Sequence, residues 1–292
     1  MKGELVRVWT EDELQLQGLY CAPRRSRDLP AVLHIHGSSS NFYRSQFLDR
    51  LADVLTDRGF AFLTGNTRGH DIMNKVYSKD PTATRYVGAA YEVFEECVLD
   101  VAAWIAFLWE RKHDDVVLLG HSFGAHKAAF YQSEVADERV KALIFMSPAD
   151  HALSVAALGS EAERTLSWAS EKVSAKRGDS LLDPGFAPYP MSARTIHSLL
   201  VEAKLDIFKF GRPDEPWEVV SGLRCPILVT MGTVAECIST SPEDALATLR
   251  DKAVSSPRCD TAVIEGAPHN YRGHEPAITG VIVDWMSDTF GA

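Results

Sequence analysis

The chain lacks the segments that would place it in or across a membrane. No apolar run among its 292 residues reaches the ~20 residues that a membrane-spanning helix needs. Residues 1–7 mix acidic and basic side chains where a signal peptide needs an apolar core. The chain also has no excess of basic residues, since its formal net charge is −10. This charge argues against a surface that binds nucleic acid or an anionic membrane. We therefore expect a cytoplasmic protein with no nucleic-acid or membrane partner.

Disulfide and cofactor patterns are missing as well. The five cysteines are an odd number and include no C-x-x-C pair and no metal-site spacing. We expect them to be reduced thiols, as in cytoplasmic proteins. Neither glycine-containing turn, at 37–40 or at 120–124, is followed by the Lys-Ser or Lys-Thr pair of a phosphate-binding loop. The sequence therefore predicts neither a metal nor an organic cofactor.

What the chain does contain is a regular alternation of strand-like and helix-like segments. Alternating residues in 4–9 and 14–20 predict an antiparallel opening hairpin. Further segments are predicted as strands at 31–36, 60–64, 115–119, 140–146, 226–231 and 260–265, and as helices near 45–58, 88–111, 125–132, 242–252 and 276–289. The polar segment 70–87 is predicted to be a long loop. This alternation is typical of an α/β fold with a doubly wound, mostly parallel eight-stranded sheet.

The segment 151–225 interrupts this alternation after the sixth strand. It contains helix-like runs at 151–158, 160–176 and about 192–204, a proline-rich passage at 183–190, and no repeated strand pattern. An insertion of this length is typical of a functional lid. We therefore expect a core domain of residues 1–150 and 226–292, with 151–225 as a helical cap over the sheet.

The strongest motif is a serine between two glycines at the joint of a strand and a helix. Ser122 lies between Gly120 and Gly124, after the apolar run 115–119 and before the alanine-rich run 125–132. This is the pattern of a nucleophile elbow, in which the serine is strained and its Oγ is exposed above the sheet. The alternative is a glycine-flanked loop serine with no chemistry.

A serine nucleophile needs a base within hydrogen-bond reach. In sheets of this kind, sites lie at the carboxyl ends of the strands, and His269 lies in the loop after the last predicted strand. His269 is therefore the predicted base, and His274, near the final helix, is ranked below it. His121 and His126 flank the serine and are expected to serve packing.

The third residue should be a carboxylate that orients the imidazole, placed between the serine and the histidine in chain order. Glu236 is the acid in the loop after the 226–231 strand, so it is the predicted partner of His269. Asp150, after the preceding strand, is the alternative acid. Asp150 is also suited to capping the first helix of the insertion.

Two further sets of residues complete the predicted site. The backbone amides of Phe123 and Ser38 are expected to form an oxyanion hole, with Ser39 beside the substrate, although the turn at 37–40 is also consistent with a flexible loop. Bulky residues of the insertion are expected either to line an apolar substrate pocket or to pack the lid itself: Phe186, Tyr189, Met191, Leu199, Leu200, Ile207 and Phe208.

Taken together, these motifs resemble those of the α/β-hydrolase superfamily, over nearly the whole chain. The resemblance depends on His36-Gly37-Ser38, the turn at 66–70, the elbow at 120–124 and the loop at 266–269. It implies a serine esterase or lipase whose triad falls on Ser122, His269 and an acid. Such hydrolases usually carry Asp three residues after the glycine that ends the acid strand, and here that position is Ala235. The acid therefore stays open between Glu236 and Asp150.

The expected function is hydrolysis of a carboxylic ester or lactone through an acyl-enzyme intermediate. A helical lid favours a medium-to-large hydrophobic small molecule, and some proteins with similar lids act on siderophores or macrolactone antibiotics. The alternatives are an amidase or peptidase with the same triad, or a ligand-binding protein without turnover, which Ala235 favours. A monomer or a homodimer is expected.

Overall fold

The computed structural model describes residues 1–25, 28–79, 82, 85–183, 185 and 188–292. Within these ranges the strands are β1 (Glu4–Trp9), β2 (Gln15–Cys21), β3 (Ala31–Ile35), β4 (Phe62–Gly65), β5 (Asn74–Val76), β6 (Arg85–Val87), β7 (Val116–His121), β8 (Val140–Met146), β9 (Leu181–Leu182), β10 (Met191–Ser192), β11 (Ile227–Val234) and β12 (Cys259–Pro268). The helices there are α1 (Phe47–Arg58), α2 (Cys97–Glu110), α3 (Phe123–Val135), α4 (Ala152–Ala157), α5 (Ala162–Ser174), α6 (Ala193–Ile196), α7 (Glu218–Gly222), α8 (Pro242–Lys252) and α9 (Glu275–Phe290). None of these helices has the length and apolar character needed to cross a bilayer.

Eight strands of the described residues form one sheet, in the order β1-β2-β4-β3-β7-β8-β11-β12. β2 pairs antiparallel with both β1 and β4, and the other neighbours are parallel. The predicted opening hairpin and the mostly parallel eight-stranded sheet are therefore confirmed. The carboxyl ends of β3, β7, β8, β11 and β12 consequently lie along the same edge of the sheet.

The central strands β3, β7 and β8 are mostly apolar and almost fully buried because helices cover both faces of the sheet. In β3, Leu33 packs into the core on one face and Val32 into the core on the other, as the period of two along a strand requires. Helices α1 and α9 contribute to one core, while α2, α3, α7 and α8 contribute to the other. Packing on both faces of the sheet therefore holds these strands, and the loops at their carboxyl ends, in fixed positions.

The segment predicted as a long loop contains a short hairpin, so that prediction is wrong in part. β5 and β6 pair antiparallel, with Asn74 opposite Val87, and strands of three residues are too short to show a period of two. The helix predicted from residue 88 begins only at Cys97, after a 3₁₀ turn at Phe94–Glu96. Gly88 has a φ of +106°, and this conformation excludes a right-handed helix start there.

The segment 151–225 lies between β8 and β11 and is mainly helical. It also contains a strand pair that was not predicted from the sequence, with Met191 opposite Leu182 across the proline-rich passage. Two residues per strand are too few for a recognisable alternation. The helix predicted at 192–204 is α6 followed by a π-helical turn at His197–Glu202. The division into a core domain and a cap stays a prediction.

Buried histidines make the fold sensitive to acid. Burial lowers the pKa of His34 to about 3 and the pKa values of His121 and His126 to about 4, against about 6.5 in the unfolded chain. The unfolded chain therefore takes up protons that the folded protein excludes. We therefore expect the contribution of these histidines to stability to be complete above about pH 6.5 and to be lost as the pH falls toward 4, by roughly 1 kcal/mol per pH unit for each histidine.

Urea-unfolding free energies at several pH values between 7 and 4 test this expectation. His126→Gln should reduce the slope of unfolding free energy against pH, whereas His274→Gln, at a partly exposed position, should leave it unchanged. An equal slope for wild type and His126→Gln would contradict it.

Candidate active site

Ser122 occupies a sharp turn between β7 and α3. Its φ of 55° and ψ of −122° lie outside the regions that a non-glycine residue normally adopts, so the serine is strained as the sequence predicted. The turn requires both glycines, because a Cβ on Gly120 would lie 2.2 Å from the carbonyl oxygen of Gly124. A Cβ on Gly124 would lie 2.1 Å from the carbonyl oxygen of Ile35. This tight packing projects Ser122 from the carboxyl edge of the sheet.

Loops after three strands bring a serine, a histidine and a carboxylate into one hydrogen-bonded chain. The Oγ of Ser122 lies 2.9 Å from Nε2 of His269, in the loop after β12. The Nδ1 of His269 lies 2.7 Å from Oε2 of Glu236, in the loop after β11. A carboxylate only accepts hydrogen bonds, so Nδ1 carries the proton and Nε2 is free to accept from the serine hydroxyl.

Asp150, the alternative acid, is buried and bound elsewhere. Its Oδ2 accepts from the amide of Gly211 at 2.8 Å and from Oγ of Ser239 at 2.7 Å. Its Oδ1 accepts from the amide of Ala152 at 3.1 Å, which agrees with the capping function that the sequence allowed. Among the described residues, no hydrogen bond joins Asp150 to His269, so the geometry favours Glu236 as the orienting acid.

The departure at Ala235 has a geometric explanation. Ala235 has a φ of 53°, which turns the chain directly after β11. Glu236 follows one residue later than the position where α/β-hydrolases usually carry Asp, and its side chain is one methylene longer. The longer side chain reaches Nδ1 of His269 from the shifted position, so Ala235 no longer favours a protein without turnover.

The second carboxylate oxygen of Glu236 is held by a buried polar network. Glu236 Oε1 accepts from the amide of Gly232 at 2.7 Å and from Oγ of Ser147 at 2.8 Å. Because the Ser147 hydroxyl donates its single hydrogen to the carboxylate, it accepts a hydrogen bond from the hydroxyl of Tyr271 at 2.8 Å. The Tyr271 hydroxyl also lies 2.9 Å from Oγ1 of Thr230. Charge-assisted bonds of this kind fix the carboxylate in place. Ser147 was not among the residues predicted from the sequence, although its position directly after β8 was an available signal.

His121 does more than the packing predicted for it. Its Nε2 donates to the backbone carbonyl of His269 at 2.9 Å. Burial, with the nearby imidazole of His269, lowers the pKa of His121 to about 4, so it stays a neutral donor near neutral pH. It therefore fixes the backbone that carries the candidate base. His126 does pack as predicted, with its ring centroid 4.8 Å from that of Phe208.

The predicted oxyanion residues lie on either side of Ser122. Phe123 is the first residue of α3, so its amide belongs to the helix N-terminus, where the macrodipole favours negative charge. Ser38 follows Gly37, and a Cβ on Gly37 would lie 3.1 Å from Cβ of Ser122. The 37–38 peptide therefore passes directly against the serine.

Hydrogen bonds of the buried His36 side chain hold the loop that contains Ser38. His36 donates from Nδ1 to the carbonyl oxygen of Gly37 at 2.8 Å and accepts at Nε2 from the amide of Thr67 at 3.0 Å. Burial lowers the pKa of His36, which keeps it neutral for this pair of bonds. The carbonyl of Ser39 accepts from Arg44 Nη1 at 3.2 Å, and Ser39 lines neither of the cavities described below.

A buried ion pair connects α3 to the turn at 66–70. Lys127 Nζ lies 2.5 Å from Oε1 of Glu92 and donates to Oγ1 of Thr67 at 2.8 Å. Lys127 also lies 5.0 Å from the ring centroid of Phe123. Glu92 packs so closely on Gly69 that a Cβ there would lie 2.0 Å from the carboxylate. Removing either partner would leave an unpaired buried charge, so each residue requires the other. No pattern in the sequence predicted this pair.

An apolar chamber of about 370 Å³ opens on one side of Ser122. We call it the apolar chamber; its apolar lining includes Ala89, Phe123, Met191, Leu199, Leu200 and Leu205. Tyr189 also lines the chamber, and its hydroxyl lies 3.1 Å from Oγ of Ser38. Burial raises the pKa of Tyr189. Ile207 and Phe208 do not line it, because they pack into the main core. Phe186 lies outside the described residues.

A polar cleft of about 440 Å³ opens on the other side of Ser122. We call it the arginine cleft; its lining includes Ser38, Arg44, Ser122, His269, Asn270 and Arg272. Ser38 and Ser122 line both cavities. The serine hydroxyl therefore stands at the junction of an apolar space and a polar one.

The described residues offer no group of three or more His, Cys, Asp or Glu side chains placed to hold a metal ion. All five cysteines are free thiols. The absence of a metal and of an organic cofactor stays a prediction.

The chain matches a known family model and has the same fold as several solved structures. Residues 32–278 match the model of the alpha/beta hydrolase family, while the curated proteins include no significant match. The siderophore hydrolase EstB from Aspergillus fumigatus is similar with a TM-score of 0.70, 16% identity and 98% of each chain covered. A carboxyl esterase from Bacillus coagulans is similar with a TM-score of 0.69, 13% identity and 99% of each chain covered. Est1E from Butyrivibrio proteoclasticus has a TM-score of 0.64, 15% identity and 98% coverage of each chain.

Proposed function

The chain belongs to the alpha/beta hydrolase family, and on that premise we propose that it is a serine hydrolase that cleaves carboxylic esters through an acyl-enzyme intermediate. The observation that carries the proposal is the hydrogen-bonded chain from Ser122 through His269 to Glu236, with distances of 2.9 Å and 2.7 Å. Two of the similar structures are a carboxyl esterase and a siderophore hydrolase, which supports the same reaction class.

The proposed reaction has two half-reactions. In the first, Ser122 Oγ forms a bond to the ester carbonyl carbon while its proton passes to Nε2 of His269. The tetrahedral intermediate then collapses, the bond to the alcohol oxygen breaks, and His269 gives the proton to that oxygen. In the second, water attacks the acyl-enzyme with His269 again as the base, releasing the acid and restoring Ser122. Glu236 orients His269 and stabilises its protonated form.

The oxyanion that develops in each half-reaction is assigned to the amides of Phe123 and Ser38. The amide of Phe123 lies at the N-terminus of α3, and the peptide at 37–38 passes against Ser122. Preorganised amides stabilise the developing charge without reorganising during the reaction. The bonds of His36 to Gly37 and Thr67 support this preorganisation.

We assign the segment 151–225 as the lid of a core formed by 1–150 and 226–292. Met191, Leu199 and Leu200 of this segment line the apolar chamber beside Ser122, which supports a medium-to-large hydrophobic substrate. A natural-product ester or lactone, such as a macrolactone, is a substrate of this class. An apolar chamber with a few convergent polar groups is typical of small-molecule sites.

We expect hydrolysis of p-nitrophenyl esters to depend on acyl chain length. Each methylene that enters the chamber contributes about 0.8 kcal/mol, so kcat/KM should rise about fourfold per carbon until the chamber is full. Steady-state kinetics from acetate to decanoate, with Ser122→Ala in parallel, check this. No Ser122-dependent turnover of any ester or lactone would overturn the proposed function, and faster turnover of matched anilides would indicate an amidase.

A further inference from the structure

The two cavities that meet at Ser122 differ in charge. The carboxylates of Glu92 and Asp150 line the apolar chamber, although both are bound by other protein groups. The arginine cleft contains two guanidinium groups, Arg44 and Arg272, and no carboxylate among the described residues that line it. The cleft is therefore locally positive, whereas the whole chain carries a net charge of −10.

Among the described residues, no carboxylate is bound directly to either of the two arginines. Arg44 Nη1 donates to the carbonyl of Ser39 at 3.2 Å, and its other guanidinium nitrogens form no hydrogen bond with a described residue. Within the described part of the chain, neither arginine forms an ion pair with a carboxylate. Glu275, the nearby acid that Arg272 influences electrostatically, is bound to the amide of Gly273 at 3.0 Å. Guanidinium groups are suited to binding carboxylate and phosphate oxygens.

The position of His269 decides which half of an ester enters this cleft. His269 must protonate the departing alcohol oxygen, so the leaving group has to lie on the side of the imidazole. His269 lines the arginine cleft and does not line the apolar chamber. The alcohol half is therefore directed into the arginine cleft, and the acyl half into the apolar chamber.

Building on the serine-hydrolase function, we propose that the substrate is an ester of an apolar acid with an alcohol that carries an anionic group, bound by Arg44 and Arg272. The natural leaving group is then a hydroxy acid or a similar anionic alcohol. Arg44 lies in the loop before α1 and Arg272 in the loop before α9, and both line this one cleft. They determine specificity and take no part in bond cleavage.

A matched pair of esters tests this proposal. The hexanoyl ester of 3-hydroxybenzoate has an anionic leaving group, and the hexanoyl ester of 3-hydroxybenzamide has a neutral one of similar size. The measured quantity is the ratio of kcat/KM for the anionic ester to kcat/KM for the neutral ester, which cancels changes in folding and in the chemical step. Arg44→Gln, Arg272→Gln and the double variant are compared with Arg50→Gln, an exposed arginine on α1 that lines neither cavity.

We expect each single variant to lower the ratio about two- to fivefold, the range for partly exposed charge pairs, and the double variant to lower it about tenfold. The wild-type ratio should also fall between about 20 mM and about 0.5 M NaCl because salt screens exposed charges. The proposal is wrong if the double variant keeps the wild-type ratio, or if Arg50→Gln lowers the ratio equally. If the neutral ester is hydrolysed in a Ser122-dependent reaction and the double variant keeps the wild-type ratio, this proposal alone is wrong. If neither ester is hydrolysed in a Ser122-dependent reaction, the proposed hydrolase function is wrong as well.

Discussion

Replacing Ser122 by alanine is expected to lower kcat for ester hydrolysis by roughly 10⁴- to 10⁶-fold. The hydroxyl that forms the acyl-enzyme is lost, and the water that replaces it has neither the position nor the activation that His269 gives to Ser122 at 2.9 Å. Steady-state kinetics on the best p-nitrophenyl ester measure the loss. KM should change little, because the two cavities stay in place.

The double variant Ser122→Ala/His269→Ala provides the control for this result. Residues that act as one catalytic unit have non-additive effects, so the double variant should be about as active as either single variant. Losses that add in free energy would mean that the serine and the histidine act independently, contrary to the hydrogen bond between them.

Replacing Glu236 by glutamine is expected to lower kcat by roughly 10³- to 10⁴-fold. The amide is nearly isosteric, but its NH₂ group can donate toward Nδ1 and so favours the imidazole tautomer that cannot accept the serine proton at Nε2. The measurement is kcat for wild type and Glu236→Gln on one ester across a pH series.

Asp150→Asn is the matched control, because Asp150 was the alternative acid in the sequence. It should leave kcat within about tenfold of wild type and instead lower the free energy of unfolding by about 1–3 kcal/mol, since its carboxylate binds Gly211, Ser239 and Ala152. A larger loss of kcat in Asp150→Asn than in Glu236→Gln would reverse the assignment of the acid.

Local signals in the sequence were sufficient to predict a serine and a histidine that the structure places within hydrogen-bond distance. Gly120 and Gly124 mark a turn that no side chain fits, and the strand before it and the helix after it fix the direction in which Ser122 projects. His269 follows the last strand of a parallel sheet, where topology alone brings it to the carboxyl edge. Both inferences depend on contacts that the chain order determines, so the sequence alone supported them.

The acid was not decidable from sequence because two carboxylates follow neighbouring strands. Asp150 and Glu236 both lie near the carboxyl edge, and spacing does not tell which side chain faces the imidazole. The distinction depends on a positive φ at Ala235 and on the partners of Asp150 in distant segments. Such contacts involve residues far apart in the chain, and no local pattern encodes them.

The surroundings of the site were hidden for the same reason. Lys127 lies in an alanine-rich helix and Glu92 in a loop, and only the folded chain brings them to 2.5 Å. Arg44 and Arg272 belong to loops that are more than two hundred residues apart in the sequence, yet they line one cleft. Sequence patterns predicted the candidate serine and histidine, while the two cavities beside them could be recognised only from tertiary structure.

The central claim is that Ser122 is a nucleophile activated by His269, and covalent labelling by a fluorophosphonate tests it most directly. The reagent should modify wild-type protein stoichiometrically, with the adduct mapped by peptide mass spectrometry to Ser122, and should label Ser122→Ala not at all and His269→Ala far more slowly. An unlabelled wild-type protein, or a label on another residue that persists in Ser122→Ala, would contradict the account.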